Sequence, residues 1–187
     1  MLKQFGLTIV GTKPLIMHNG ELVNPLNPFA KEIKKISGKR GKTEADHERI
    51  AELEFLGGLW LCPTGPCIPS YALEACFVEA ARKTKRGKQA SAGILVLGHA
   101  PLIYDGPRDA DELWKEKSLR FFARVRVGQA RVIRCRPCFT EWSASFEVEY
   151  ADDLMEEDAI KEIVRTAGQM IGIGDWRPKY GRFALSE

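Results

Sequence analysis

The chain has 187 residues, of which 44% are hydrophobic and 28% charged, and a formal net charge of +3. That length suits one domain spanning 1–187, and the apolar content is enough for a core. No apolar run approaches the roughly 18–20 residues of a membrane span, no signal peptide precedes the first strand pattern, and the five cysteines are an odd number without an export signal. These features argue against a membrane-spanning protein and a disulfide framework, and no membrane partner and a cytoplasmic location are the expectations.

Phe5, Leu7 and Ile9 alternate with Gly6, Thr8 and Val10, which predicts a first strand. Pro14 and Asn19-Gly20 then form turns, with His18 in the loop between them. Residues 21–58 read as an insertion after the first strand. A short helix is predicted over Phe29–Ile36, a flexible basic loop over Ser37–Lys42, and a second helix from Thr43, whose hydroxyl can cap it with Asp46 completing a capping box. Gly57-Gly58 should end that helix.

A brief strand at Leu59–Leu61 and a turn over Cys62–Cys67 lead to a helix from Ser70, with Leu73, Cys76, Phe77 and Ala80 on one stripe. Its basic end, Arg82 to Lys88, contains no acid. Helix C-termini favour cations, but the run outlasts the helix. Gly93–Leu97 and Leu102–Tyr104 are short strand candidates, and Asp109–Lys117 a surface helix.

Leu119–Val127 alternates, turns at Gly128-Gln129 and pairs back through Ala130–Cys135, so that Arg124, Arg126, Arg131 and Arg134 stud a hairpin. Trp142, Ala144, Phe146, Val148 and Tyr150 share one face of the clearest strand, opposite Glu141, Ser143, Ser145, Glu147 and Glu149. A helix over Glu156–Ile171 follows, its acidic start complementing the helix dipole.

Gly172–Phe183 then packs glycines, aromatics and cations together: Trp176 and Tyr180 offer flat faces for bases, and Arg177, Lys179 and Arg182 offer charge for phosphates. A strand, Phe183–Leu185, closes the chain. The order predicts an α+β fold, with helices packed on an antiparallel sheet, compatible with the split βαβ, ferredoxin-like arrangement of RNA-recognition folds.

Three segments, in this order, resemble the RAMP superfamily, the ferredoxin-like RNA-binding proteins of CRISPR systems. They are Thr12-Lys13-Pro14-Leu15-Ile16-Met17-His18-Asn19-Gly20 after the first strand, Ile68-Pro69-Ser70-Tyr71-Ala72-Leu73 at a helix start, and the Gly-rich, Arg-containing loop Gly172–Phe183. The helix start matches the family pattern at Ile, Pro and Leu only. The chain also looks like a group of phage and prophage proteins that share the Gly-Asp-Trp-Arg-Pro … Tyr-Gly-Arg-Phe ending. The resemblance implies a surface for single-stranded RNA or DNA, and homo-oligomers or other RAMP-like subunits as partners.

Binding is the chemistry the residues favour. Lys39, Arg40 and Lys42 with Lys85, Arg86 and Lys88 supply cations on loops, in addition to the hairpin arginines and the C-terminal turn. One alternative is metal-independent cleavage of RNA, with His18 deprotonating a ribose 2′-hydroxyl and a cation stabilising the phosphorane. Another is a scaffold whose basic face meets an acidic partner. Cys62 and Cys67, with Cys135 and Cys138, have zinc-site spacing, but free cysteine is also an ordinary core residue, and no cofactor or metal is expected. Gly38-Lys39-Arg40-Gly41-Lys42-Thr43 lacks the first glycine of a phosphate-cradling loop, since Ile36 stands there.

Overall fold

The computed structural model describes residues 1–186. β1 (Leu2–Gly11) is followed by β2 (Leu15–Ile16), a 3-10 turn at Gly20–Val23, and two helices, α1 (Pro28–Ser37) and α2 (Glu44–Gly58). A short hairpin, β3 (Leu61–Cys62) and β4 (Gly65–Ile68), precedes α3 (Ser70–Arg82) and α4 (Gly87–Gly93). β5 (Ile94–Leu97), β6 (Ala100–Ile103), α5 (Ala110–Lys115), β7 (Arg120–Val127) and β8 (Ala130–Phe139) come next. β9 (Ser143–Ala151), α6 (Glu157–Thr166), a π-helical turn at Ala167–Ile171 and β10 (Phe183–Leu185) complete the order. Among the described residues no helix is long and apolar enough to cross a membrane.

The chain divides into two compact units, one built from Met1–Leu15, Leu61–Asp105 and the chain from Phe139 on, the other from Ile16–Trp60 and Gly106–Cys138. In the first unit β1 is central. It pairs antiparallel with β9, Leu7 opposite Phe146, and with β10, Val10 opposite Ala184. β5 and β6 both pair antiparallel with β9, at Val96–Val148 and Leu102–Ala144, so they are two halves of one strand interrupted at Gly98-His99. With those halves taken together the order is β10-β1-β9-β5/β6, and β4 and β3 extend it beyond β6. α3 lies in the chain between β1 and β5, and α6 between β9 and β10. This is an α+β, antiparallel, ferredoxin-like arrangement with packed helices, as the element order implied.

Side-chain periodicity explains the packing. β9 buries Ala144, Phe146, Val148 and Tyr150 and leaves Ser145 and Glu147 in water. α3 buries Leu73, Cys76, Phe77, Ala80 and Ala81, and Phe77 meets Phe146 with ring centroids 6.0 Å apart. Full burial of one such phenylalanine contributes about 1.5–3 kcal/mol. Two elements differ from expectation. The second half of the turn expected over Cys62–Cys67, with Ile68 after it, is instead a buried strand, Gly65–Ile68. The basic run after α3 is broken by a short helix, α4, with Gly87, Ala90 and Gly93 buried.

The second unit packs α1 against α2, tied by Arg49 of α2 to Glu32 of α1 at 3.0 Å. Asn27 caps α1 ahead of Pro28, and Thr43 caps α2 in the expected box with Asp46. Phe55 of α2 packs on Trp114 of α5, centroids 5.5 Å apart, and the Arg120 guanidinium covers the same indole at 3.7 Å. β7 and β8 form the expected hairpin, and Met17 N–H donates to the Pro137 carbonyl at 2.9 Å along its flank.

Candidate nucleic-acid interface

The twenty residues of β7, the turn and β8 contain arginines at 120, 124, 126, 131, 134 and 136 and no aspartate or glutamate. Residues directly opposite in an antiparallel pair share a face, so the register sorts these cations. Arg124 lies opposite Ile133, Arg126 opposite Arg131, and Phe122 opposite Cys135, which places Phe122, Arg124, Arg126, Arg131 and Ile133 on one face. Phe121–Arg136 and Ala123–Arg134 belong to the other. Arg124, Arg126 and Arg131 are exposed, as are Phe122 (56%) and Ile133 (64%), while Arg120, on the same face, is half-buried over Trp114. Two guanidinium groups directly across a ladder repel by about 0.2–1 kcal/mol, a cost that an anion between them removes.

Arg134 is directed elsewhere. With the Cys135 N–H it contacts the carboxylate of Glu54, which is 3% exposed; the Cys135 N–H donates at 2.9 Å and the guanidinium makes the ion pair. A buried carboxylate needs such partners, so this pair holds α2 against the edge of β8. The same region contains a concavity of about 290 Å³ whose polar lining is His18, Lys34, Glu54, Arg134 and Arg136. The structure therefore gathers His18 with cations from α1 and β8, a juxtaposition that sequence distance concealed.

The basic loop ahead of α2 is partly committed to structure. Lys39 Nζ is 2.6 Å from Asp46, and Lys42 Nζ donates to the Lys39 carbonyl at 3.2 Å. The Lys39 ammonium, together with the Thr43 N–H and hydroxyl, holds the Asp46 carboxyl at about 2, well below its ordinary value. Arg40 is exposed.

In the first unit, Arg82, Lys85 and Lys88 line an open concavity of about 500 Å³ at the corner between α3 and α4, and no acid lines it among the described residues. Arg86 is turned to Gln89, its Nε donating at 3.2 Å.

The C-terminal turn is closed on itself. Ile173 N–H donates to the Gly181 carbonyl at 2.9 Å, Gly181 N–H to the Pro14 carbonyl at 2.8 Å, and Thr12 N–H to the Arg182 carbonyl at 2.8 Å. Trp176 and Tyr180 are half-buried, not laid open as platforms, while Arg177 and Lys179 are exposed. Arg177 reaches Glu79 at 3.6 Å, Arg182 Nε donates to the Pro178 carbonyl at 2.7 Å, and Lys179 Nζ lies 5.8 Å from the Tyr180 ring. The glycines here serve backbone packing, whereas Phe122 is an exposed ring beside Arg124, bordered on its other side by Glu44, Glu48 and Glu54 of α2. Its signal was in the sequence: alternation puts it on the side of Arg124 and Arg126.

The cysteines are free thiols. Burial pushes the Cys67 and Cys135 thiols up to about 12 and Cys138 up to about 11. Among the described residues no group of three or more His, Cys, Asp or Glu side chains is placed to hold a metal ion.

No family model matches the chain, and no curated protein matches it. Among solved structures it is similar to the crystal structure of Cmr6 from Pyrococcus furiosus, at 10% sequence identity and a TM-score of 0.43, covering 100% of this chain and 99% of that one.

Proposed function

We propose that this protein binds single-stranded nucleic acid without catalysing a reaction on it, as a RAMP-type subunit, and that the β7–β8 hairpin face bearing Phe122, Arg124, Arg126 and Arg131 is its principal contact. The observation that supports this is the cross-strand pairing of Arg126 with Arg131 beside Arg124 and the exposed Phe122, on two strands that carry no acid. Guanidinium groups suit phosphates, and an exposed phenyl ring suits an unstacked base. Lys85 and Lys88 on the first unit, and Arg177 and Lys179 on its C-terminal turn, add charge without base selectivity.

The test is a salt-titrated anisotropy measurement with single-stranded RNA, single-stranded DNA, duplex DNA and an acidic peptide. If five or six phosphates are contacted, log affinity for a single strand falls with log salt at a slope of about −4, near −0.7 per contact. Replacing Arg124, Arg126 and Arg131 together with glutamine lowers that slope by about 2. Phe122→Ala costs about 1–3 kcal/mol and leaves the slope unchanged, because stacking releases no counterions. Affinity insensitive to all four substitutions defeats the reading, and equal binding of the acidic peptide favours the scaffold alternative.

A further inference from the structure

The concavity beside His18 has two kinds of lining. One is apolar, Leu22 and Val23 from the 3-10 turn and Ala30 and Ile33 from α1. The other is polar, with the cations Lys34 of the same α1 and Arg134 and Arg136 of β8, and the His18 imidazole. Glu54 is the one carboxylate that lines it among the described residues, and its charge is balanced by Arg134 while the Cys135 N–H takes its second oxygen. Arg136 Nη1 donates to the Cys135 carbonyl at 3.3 Å, which orients the guanidinium on the pocket wall. The lining therefore divides between net positive charge and apolar surface.

Such a division suits an amphiphilic anion with a flat apolar part. At about 290 Å³ the space lies at the lower limit of small-molecule sites, room for a single nucleotide and not for a run of them. All of the lining belongs to the second unit, and Arg134 and Arg136 project from the opposite face of the hairpin to Arg124 and Arg126. The pocket is thus separate from the stacking face.

We infer that this pocket is a mononucleotide site, taking one phosphate monoester against Lys34, Arg136 and His18 and one base against Leu22, Ala30 and Ile33. Two sources share that chemistry, a free nucleoside monophosphate and the phosphorylated 5′ end of a strand. The inference takes only its ligand class from the nucleic-acid reading.

Isothermal titration of the full chain with AMP and UMP, and with an octanucleotide bearing either a 5′-phosphate or a 5′-hydroxyl, tests it. Saturable binding of AMP or UMP, weakened about tenfold or more by Lys34→Gln and again by Arg136→Gln, supports the site. A preference for the 5′-phosphate that the same substitutions erase supports it equally and identifies a strand end as the source. Ala30→Phe fills the apolar half without touching a charge and abolishes binding in either case, so the test survives if Arg136→Gln fails to fold. The Arg124, Arg126 and Arg131 triple variant keeps its mononucleotide affinity. Absence of mononucleotide binding together with indifference to the 5′-phosphate overturns the site, even where oligonucleotide binding through the hairpin persists. Loss of oligonucleotide binding alone overturns the hairpin reading instead.

Discussion

Gly181 has no room for a side chain. A Cβ there would lie 1.7 Å from the Ile173 carbonyl oxygen, and its φ of +67° is one that side-chain-bearing residues rarely adopt. The obstacle is backbone held by the Ile173–Gly181 hydrogen bond, so nothing nearby can rotate away. Gly181→Ala is expected to cost about 2–4 kcal/mol in urea unfolding. Gly41, at the same φ of +67° but with open space around its Cα, is the control. Gly41→Ala should cost about 1 kcal/mol, the conformational cost alone. The sequence showed a glycine-rich, cationic turn and invited a ligand as the reason. The reason for Gly181 is instead that the C-terminal turn doubles back against Ile173, a residue eight positions earlier, which no local pattern announces.

At the scale of single elements, α2 shows how much local chemistry a sequence can carry. Its start was legible because the capping box needs only Thr43 and Asp46, three residues apart. What could not be read was Lys39, folded back from the preceding loop onto the same carboxylate. The consequence is a pH dependence with a definite sign. Asp46 is depressed to about 2 in the folded chain, so its contribution is complete above the ordinary carboxylate pKa near 4 and is lost as pH falls through about 2. Acid titration followed by circular dichroism should show wild type losing stability between about pH 4 and pH 2, and Asp46→Asn should flatten that window while lowering stability at neutral pH. The hairpin was equally legible, since alternation and Gly128-Gln129 need no partner to be seen. Strand β4 was not, because Gly65 and Pro66 are turn formers whose role is decided by β6 alongside. The pocket around His18 was least accessible to sequence: its residues come from four separated stretches, near 18–23, 30–34, 54 and 134–136.

At the scale of the whole molecule, the two units are interleaved along the chain, so neither is a contiguous piece. The second unit is complete by Cys138, whereas the first needs residues from both ends. A chain ending at Phe139 therefore keeps every residue of the second unit but removes both strands that pair with β1. Hydrogen exchange on that fragment should find protected amides in α1, α2 and the β7–β8 hairpin, with β1 exchanging at the rate of an unstructured peptide. Protection of β1 in the fragment would contradict the pairing described above.

The position of β1 between β9 and β10 also bears on how the protein is made. β1 has both of its hydrogen-bonding neighbours encoded beyond residue 142. While the intervening stretch of more than 130 residues is made, its apolar residues, Leu7 and Ile9 among them, wait without their strand partners. The nascent chain thus has its arginine hairpin in hand before its ferredoxin-like core, and β1 is flanked on both sides only once Phe183–Leu185 has been made.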